Sequence, residues 1–401
     1  MSDDDLSFAM SLFQRNGLDP VPEMARLRAE QPISRIELPI GPPVWLATRY
    51  DDVRAVLGDS KRFSNDFSKL TGSDDLEFLS AMNPGGLGFT DPPDHTRLRR
   101  MLTPEFTMRR LRRLTPRIDD IIAQQLDLME TTHKETGEPV DLVDLFAVPI
   151  PSLVISELLG VPNPDRGDFQ RLSEARFDLL GDLQGCLGAI QDTLDYLGGL
   201  VAQQRKSPDD NLLGMLVREH GDNITDEELT GLADGILIGG HETTASMLAL
   251  GALHLMTKPE HFAMIRDSDE HITEVVDELL RFLTVVQVAF PRFVLEDMEL
   301  GGQEIKAGDV VLVSLSSANR DEALGDDIDT VNPFREMPSH FAFGYGLHRC
   351  VGAELGRMEL RMSYPALLRR FPNLRLAVPF EDLKFRELSM VYGVDKLPVT
   401  W

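Results

Sequence analysis

The stretch Phe341–Gly356 (FAFGYGLHRCVGAELG) places a cysteine among glycines, and this arrangement is the strongest chemical signal in the chain. Cys350 is one of only two cysteines in 401 residues. Gly344 and Gly346 permit a tight loop, because glycine adopts positive φ without a steric cost. From Val351 onward, apolar residues recur at helical spacing. Cys350 is therefore predicted to lie at a helix N-terminus, where unpaired N–H groups and the helix dipole favour a metal-binding thiolate.

The residue type alone leaves two interpretations of Cys350 open. An unpaired cysteine is most often a small buried hydrophobic residue. A single thiolate does not make a structural zinc site, because such a site needs four protein ligands. Haem iron does need only one protein thiolate, since the porphyrin supplies four ligands itself.

A second unusual stretch lies in the middle of a long predicted helix. Thr225 and Glu228 form a capping box, and the apolar pattern runs on over Leu229–Met256. The centre of this helix, Gly239–Thr244, reads GGHETT, and each glycine inside a helix costs roughly 1 kcal/mol relative to alanine. Glycines let a flat or diatomic ligand approach the backbone, and a threonine hydroxyl can bond back to a carbonyl. The alternative is a helix crossing point built from small residues.

Positive charge is concentrated in one segment of an otherwise acidic chain. Asp91-Pro92-Pro93 begins a predicted helix on which His95 and Arg99 share a face, four residues apart. This pair suits the two carboxylates of a buried ligand, although the same spacing is common on exposed helix faces. Between His95 and Arg117, eight arginines stand against one glutamate. The segment is predicted either to attract an acidic partner or to pair with acidic residues elsewhere in the fold.

One further pair of charges is weak evidence when taken alone. Glu278 and Arg281 share a face of a helix that is predicted to begin near His271. An exposed pair at this spacing contributes little to stability.

Taken together, these motifs resemble one known family. The frame Phe343-x-x-Gly346-x-x-x-Cys350-x-Gly352 resembles the haem-binding signature of the cytochrome P450 family, and the other motifs follow in that family's order over essentially the whole chain. The resemblance implies that Cys350 ligates haem iron and that Glu242 and Thr243 deliver protons during oxygen activation. It also implies that Glu278 and Arg281 are buried behind the haem and brace the thiolate loop. The residues that it assigns to haem binding are His95, Arg99, Arg292, Phe343, Gly346, His348, Cys350 and Gly352.

The resemblance implies an architecture and a set of partners as well. The fold would be mainly α with small β-sheets (α+β), in a single domain over residues 1–401. The cofactor would be haem b (iron protoporphyrin IX), held between the long central helix and the cysteine loop with its following helix. Electrons from NAD(P)H would arrive through a ferredoxin reductase and a ferredoxin. The ferredoxin would dock on what we term the arginine surface, formed by Arg97, Arg100, Arg109, Arg110, Arg112 and Arg113.

The implied activity is insertion of one oxygen atom from O2 into a small hydrophobic substrate, by hydroxylation or epoxidation, in bacterial secondary metabolism. The implied substrate pocket contains part of Leu76–Gly88 together with Ile238, Gly239, Val288, Ala289, Phe290 and Val391. These residues are mostly apolar, as the residues of any protein core are.

Three other functions remain open at this point. A peroxygenase of the same fold would usually replace the acid–threonine pair, which Glu242 and Thr243 supply here. An oxidative coupling enzyme with the same haem would share every motif. A haem-based sensor or carrier would need neither a proton relay nor the arginine surface.

Composition limits the other possibilities. The net charge is −26 and the sequence pI is about 4.7, so a general nucleic-acid-binding role is not expected. The two cysteines, Cys186 and Cys350, give no disulfide framework, which is typical of the reducing cytoplasm. The N-terminus is acidic where a signal peptide is basic, and no membrane anchor follows it. We expect a monomeric cytoplasmic protein that binds no membrane.

Local patterns predict several further elements. Ile33–Leu38, Val44–Thr48, Arg292–Leu300 and Val310–Leu315 have the composition of strands, and so do Leu383–Leu388 and Lys396–Val399. Amphipathic helices are predicted over Asp51–Leu57, Ile118–Met129, Pro149–Leu159 and Phe177–Val201. Pro365 is expected to kink or end the helix that follows Cys350.

Overall fold

The computed structural model describes residues 14–37, 43–66, 86–175, 183–336, 339–386, 389 and 391–401. Helices dominate this part of the chain. They are α1 Pro22–Glu30, α2 Tyr50–Gly58, α3 Asp94–Leu102, α4 Met108–Leu111, α5 Thr115–Thr136, α6 Pro149–Leu159, α7 Arg166–Ala175, α8 Leu183–Lys206, α9 Leu212–His220, α10 Asp226–Thr257, α11 Pro259–Asp267, α12 Ile272–Leu283, α13 Leu315–Ala318 and α14 Ala353–Arg370.

The strands are short. They are β1 Arg15–Asn16, β2 Asp19–Pro20, β3 Ile33–Ile36, β4 Val44–Ala47, β5 Phe63–Ser64, β6 Val140–Asp141, β7 Arg292–Val294, β8 Met298–Leu300, β9 Gln303–Ile305, β10 Val310–Val313, β11 Arg375–Leu376 and β12 Pro398–Thr400. The predicted α+β class with small sheets is confirmed.

Helix α10 is the central element of the fold. Its 32 residues make a rod about 48 Å long at 1.5 Å per residue. The predicted capping box is present: the N–H of Glu228 donates to Thr225 Oγ1 (3.1 Å), and the N–H of Thr225 donates to Glu228 Oε2 (2.9 Å). Helices α6, α8 and α14 pack directly on α10, and α5 packs on α6 and α14. The largest buried apolar cluster lies among these helices.

Helix α14, which follows the cysteine loop, approaches α10 very closely. Tyr364 donates its hydroxyl to the carbonyl of Met247 (2.5 Å). A side chain at Gly251 would meet this hydroxyl, because its Cβ would lie 2.0 Å from the oxygen. Pro365 stands inside α14, which continues to Arg370, so the predicted early end is wrong. Tyr364 and Pro365 are both buried, so this part of α14 packs against the core.

The main sheet joins strands from residues 33–64 to strands from residues 292–313. Its strand order is β3-β4-β10-β7-β5, with β4 and β10 parallel and the other pairs antiparallel. The predicted strands near Ile33, Val44 and Val310 are therefore confirmed. The predicted strand Arg292–Leu300 is instead two strands, β7 and β8, because the chain leaves the main sheet after Val294 and turns back through a separate hairpin with β9.

The C-terminal segment also differs from its prediction. In the described part of Leu383–Leu388, only Phe385 forms a bridge, to Val394, so this stretch is not a regular strand. The positions 387, 388 and 390 lie outside the described residues. The predicted helix Phe177–Val201 corresponds to α8, which begins at Leu183. The positions 177–182 lie outside the described residues.

Among the helices that the structure describes, none is both long enough and apolar enough to cross a membrane.

Candidate active site

The cysteine loop adopts the backbone that its glycines predict. Gly344 and Gly346 have φ of 67° and 71°, a region that favours glycine. At Gly346 a side chain is also excluded by space, since its Cβ would lie 2.3 Å from the carbonyl oxygen of Leu57. The N–H of Cys350 donates to the carbonyl of Phe343 (2.9 Å), which closes the loop. Helix α14 begins three residues later at Ala353, so the predicted position of Cys350 before a helix is confirmed.

The thiol of Cys350 is less acidic than its position alone would predict. Burial raises the pKa of Cys350, and this effect outweighs the N–H of Gly352 and the guanidinium groups of Arg99, Arg349 and Arg357, which lower it. The N–H of Gly352 favours the thiolate, as expected near a helix N-terminus, but burial outweighs it in the bare protein. Metal ligation itself removes the proton from a coordinating thiol, so this position remains suited to a metal ligand.

Two histidines, one fully buried and one half-buried, lie beside each other near this thiol. The rings of His95 on α3 and His348 in the cysteine loop have centroids 4.3 Å apart. Burial lowers the pKa of His95 to about 4 and that of His348 to about 3, with a smaller contribution from neighbouring cations. Both rings are therefore neutral near pH 7. Within the described residues, neither ring nitrogen of His95 has a hydrogen-bond partner, although the ring is fully buried.

Two arginines complete this cluster. Burial lowers the pKa of Arg292 to about 10, and its guanidinium donates only to the carbonyls of Phe290 and Pro291 in the described structure. Burial and the charge of Arg349 lower the pKa of Arg99, while the Cys350 thiol raises it. The positive charge of Arg99 in turn lowers the pKa of His95 and that of His348. The fold thus brings together the four residues from three separate elements that the sequence assigned to a dicarboxylate ligand: His95, Arg99, Arg292 and His348.

This donor set fits the haem that the motifs imply. Buried polar groups are nearly always hydrogen-bonded, so the unpartnered nitrogens of His95 and the buried Arg292 guanidinium need acceptors. The two propionates of a haem are acceptors of the required charge and number. Cys350 would supply the single protein ligand to the iron.

The centre of α10 faces open space at one glycine and packs tightly at the next. A Cβ at Gly239 would meet no atom within 4 Å, whereas one at Gly240 would lie 2.6 Å from Ile155 Cδ1 on α6. Thr243 donates its hydroxyl to the carbonyl of Gly239 (2.6 Å). The helix-crossing explanation for the GGHETT stretch therefore applies at Gly240, whereas Gly239 borders open space.

The carboxylate of Glu242 has a partner that the sequence did not reveal. Glu242 is buried and forms an ion pair with Arg386, which lies in the C-terminal segment. These two residues are 144 positions apart in the sequence, and no spacing rule connects them, so the sequence alone did not predict the contact.

The Glu278–Arg281 ion pair is buried, so the small contribution to stability that is expected of an exposed pair does not apply to it. The guanidinium of Arg281 donates to Glu278 (2.7 Å) and to the carbonyls of Asn319, Ile328 and Thr330. The side chain of Asn319 then accepts the N–H of Phe341, at the start of the cysteine loop (2.8 Å). A chain of hydrogen bonds thus connects the pair to the loop that carries Cys350. A second arginine, Arg335, also donates to Glu278 (3.2 Å), and the sequence had not singled it out.

The residues assigned to the substrate pocket differ in exposure. Gly239 and Phe290 are exposed, whereas Ile238, Val288 and Ala289 are half-buried. Val391 is buried in the main core and bridges to Val286. Phe290 also contacts Phe89 edge to face, with centroids 4.7 Å apart. Of the segment Leu76–Gly88, the part up to residue 85 lies outside the described residues.

The arginine surface is partly neutralised by acids. Arg97 pairs with Glu228, and Arg110 and Arg113 pair with the buried Glu105 at 3.7 and 3.4 Å. Arg100, Arg109 and Arg112 are exposed, and none has an acidic partner within 4 Å among the residues that the structure places. Met108 is exposed beside them.

Comparison with known proteins gives one consistent result. The family model described as Cytochrome P450 matches residues 4–207 and 153–381. Cytochrome P450 165C4 of Amycolatopsis orientalis is 44% identical over 96% of this chain and 95% of its own. Mycinamicin IV hydroxylase/epoxidase of Micromonospora griseorubida is 39% identical over 96% of each chain. The crystal structure of OxyC, a cytochrome P450 implicated in an oxidative C–C coupling reaction during vancomycin biosynthesis, superimposes with a TM-score of 0.86, at 42% identity over 97% of this chain and 96% of that one.

Proposed function

Since this chain belongs to the cytochrome P450 family, we propose that it inserts one atom of molecular oxygen into a small hydrophobic substrate of bacterial secondary metabolism. The chain is an enzyme of the monooxygenase class, and relatives that it matches include a hydroxylase/epoxidase and an N-oxygenase. The observation that carries the proposal is the cluster of donors near Cys350, in which the fully buried His95 has two ring nitrogens without a partner among the described residues.

The residues of the chain have separate tasks in this reaction. When bound, the haem supplies the oxygen-activating redox chemistry. His95, Arg99, Arg292 and His348 would hold its two carboxylates, and Cys350 would ligate its iron. Gly239 leaves the space in which oxygen and substrate meet. Glu242 and Thr243 supply protons, for which a general acid within reach of a hydroxyl is required.

Electron supply is the next part of the proposal. Electrons from NAD(P)H reach the enzyme through a ferredoxin reductase and a small acidic ferredoxin. Support for the docking site comes from Arg100, Arg109 and Arg112, which are exposed and carry charge that no nearby acid neutralises in the described structure. A basic patch on a protein of net charge −26 steers an acidic partner toward one face. The exposed side chain of Met108 provides an apolar contact within that face.

The substrate is proposed to be apolar where it meets Ile238 and Phe290. Ring contacts such as that between Phe89 and Phe290 indicate a pocket wall suited to aromatic or aliphatic groups. We place the enzyme in the cytoplasm because its two cysteines give no disulfide framework, and we propose that it acts as a monomer.

A second candidate reaction is oxidative coupling of two carbon atoms within one substrate. The observation that favours it is the close match to OxyC, which is implicated in such a coupling. Coupling would remove two hydrogen atoms from the substrate, and these, together with two electrons from NAD(P)H and two further protons, would reduce both oxygen atoms of O2 to water.

The test begins with the spectrum of the reduced protein bound to carbon monoxide. A far-red Soret band, which thiolate ligation produces, is expected; a band at the shorter wavelength of histidine- or thiol-ligated haem would overturn the assignment of Cys350. A hydrophobic compound library is then screened for spin-state shifts. Turnover of a hit under ¹⁸O2 separates the two reactions, because oxygenation adds one labelled atom to the product and coupling adds none. A sensor or carrier would consume no oxygen in response to substrate.

A further inference from the structure

Arg15 connects the β1–β2 hairpin to the end of helix α12. It lies in β1, which pairs with β2. Its guanidinium donates to the carbonyls of Leu283 (2.5 Å) and Thr284 (2.8 Å) and to Oε1 of Gln287 (3.0 Å). Burial lowers the pKa of Arg15 to about 9, so the guanidinium remains charged near pH 7. One side chain thus binds three oxygens of a segment that lies 268 to 272 positions away in the sequence.

The chain needs such a donor where it leaves α12. Leu283 is the last residue of this helix, and the last carbonyls of a helix have no partner within the helix. Thr284 follows with φ of 37°, a left-handed conformation that is uncommon for a β-branched residue. Positive charge is also favoured at a helix C-terminus. Arg15 therefore stabilises the turn that sets the direction of the chain after α12.

The segment after this turn, residues 286–290, carries the proposed pocket residues Val288, Ala289 and Phe290. Gln287 lies just before them and is held by two contacts. Its carbonyl accepts the N–H of Leu315 (2.9 Å), and its side chain accepts from Arg15. Neighbouring side chains of an extended segment point to opposite sides. Arg15 therefore restrains this segment from the side opposite the Val288 side chain.

The same guanidinium also contacts the second pocket segment. It lies over the ring of Tyr392, 4.7 Å from the ring centroid. Tyr392 directly follows the proposed pocket residue Val391. Its N–H donates to the carbonyl of Val285 (2.8 Å), and its hydroxyl donates to that of Gly17 in the hairpin (2.6 Å). The hairpin and Arg15 thus hold both pocket segments in one arrangement.

We propose that Arg15 is a positioning residue for the substrate pocket: it fixes the segment 286–290 against Val391 and so preorganises the apolar wall that a substrate contacts. Without the guanidinium, water would have to satisfy the carbonyls of Leu283 and Thr284, and the turn after α12 would relax. Ligands that touch the wall would then bind more weakly, because binding would have to order it. The inference rests on the proposed function, since it assigns a role within the same pocket.

Two probes of different size separate the wall from the iron. Imidazole and 4-phenylimidazole both bind haem iron through a ring nitrogen and shift the Soret band, and the phenyl group of the second also meets the pocket wall. Titration of the ferric holoprotein gives both dissociation constants, and wild type should bind 4-phenylimidazole more tightly. Arg15→Met should weaken 4-phenylimidazole binding about fivefold, the scale of ordering one or two side chains on binding, and leave imidazole binding unchanged.

Arg205→Met is the matched control for loss of stability. Arg205 also donates to two backbone carbonyls, those of Gly221 (2.7 Å) and Ile224, and to one side chain, that of Asp226 (2.8 Å). These contacts lie at the start of α10, outside the proposed pocket. Both variants should lower the thermal unfolding temperature, but only Arg15→Met should change the ratio of the two dissociation constants.

Gln287→Leu tests the same contact from its other side, because it removes one acceptor of Arg15. The ratio of the dissociation constant of 4-phenylimidazole to that of imidazole should rise. The double variant with Arg15→Met should match Arg15→Met alone, since residues that act through one contact are not additive. If Arg15→Met does not retain haem, Tyr392→Phe carries the test. It keeps the ring but loses the bond to Gly17, so the ratio should rise in the same direction.

Five results would overturn the inference. They are equal affinity of the two probes in wild type, an unchanged ratio in the variant that carries the test, equal weakening of both probes, the same change of ratio in Arg205→Met, and a further rise in the double variant. Failure of the proposed function is seen separately and beforehand, because the wild-type protein would then lack the far-red carbonyl band or turn over no compound of the screen.

Discussion

His95 and His348 place their rings 4.3 Å apart, although one lies on α3 and the other in the loop before α14. Both rings are kept neutral by burial, and His95, whose ring nitrogens have no partner in the described residues, can donate one N–H to a carboxylate without adding charge. His348 already makes a hydrogen bond to the backbone of Leu87. The formal positive charge of this cluster comes from Arg99 and Arg292. A dianionic ligand would thus meet two guanidinium groups and the neutral N–H of His95.

Replacing Cys350 should remove the thiolate spectrum without unfolding the protein. Cys350→Ala is expected to lose the far-red carbonyl band and all turnover, because no other protein thiolate is positioned by the cysteine loop. The carbonyl spectrum and thermal unfolding of the purified protein measure the two effects. Cys186→Ala is the control and should keep the band. An unchanged band in Cys350→Ala would show that another residue ligates the iron.

Removing the hydroxyl of Thr243 should uncouple the enzyme rather than inactivate it. The Thr243 hydroxyl bonds only to a carbonyl of its own helix in the described structure, so Thr243→Ala should fold normally. Oxygen consumption should persist, while a several-fold larger share of the oxygen appears as hydrogen peroxide. A peroxide assay with a compound from the substrate screen measures that share. Thr244→Ala, at the buried neighbouring position, should remain coupled; tight coupling in Thr243→Ala would refute the assigned role.

The two adjacent glycines of α10 should respond in opposite ways to the same substitution. Gly239→Ala meets open space, so the helix should gain up to about 1 kcal/mol from the better propensity of alanine. Carbon monoxide and substrates should bind more weakly, because the new methyl group enters the ligand space. Gly240→Ala meets Ile155 and should cost about 1–3 kcal/mol through overpacking, with little effect on ligand binding. Denaturant unfolding and carbon monoxide titration test both; equal effects would contradict the placement of Gly239.

Reversing charge on the arginine surface should slow electron transfer in a salt-dependent way. The double variant Arg109→Glu/Arg112→Glu is expected to be reduced by an acidic ferredoxin about tenfold more slowly at low ionic strength, within the range that electrostatic steering provides. The difference should shrink at high salt, where exposed charges are screened. Arg171→Glu on α7 is the control, since it is equally exposed and lies outside the arginine surface. A uniform loss at every ionic strength would argue against docking at this face.

Acid should destabilise the protein through a buried histidine pair remote from the cysteine. His254 and His261 share one hydrogen bond (3.0 Å), and burial lowers the pKa of His254 to about 3. The unfolded chain binds this proton near pH 6.5, so the unfolded state gains protons first as the pH falls, and folding stability decreases. Between pH 7 and pH 5 the loss from His254 should be about 2 kcal/mol.

Replacement of this histidine provides the measurement. His254→Gln should flatten the dependence of the unfolding free energy on pH over that interval, as measured by urea denaturation at each pH. His271→Gln, at a partly exposed ring, should leave the slope unchanged. A slope that is the same in His254→Gln and wild type would show that other groups control acid sensitivity.

Local sequence signals predicted the parts of the site that short-range chemistry determines. The capping box of α10 and the glycines of the cysteine loop can be identified because each depends on neighbours within a few residues. The ion pair of Glu242 with Arg386 and the contact of Asn319 with Phe341 depend on tertiary packing, which no spacing reveals. Burial, which outweighs the helix N-terminus at Cys350 and raises its pKa, likewise depends on the whole fold.

The pairing of β4 with β10 affects how the chain must assemble. These neighbouring strands of the main sheet are formed by residues 44–47 and 310–313, so most of the polypeptide must be synthesised before they can meet. Until then, the edge of β4 that β10 will cover presents unpaired backbone groups, a feature that promotes aggregation. Contacts between residues so distant in sequence also slow folding. We therefore expect fragments that end before β10 to aggregate when expressed, and slow growth at low temperature to improve the yield of the intact chain.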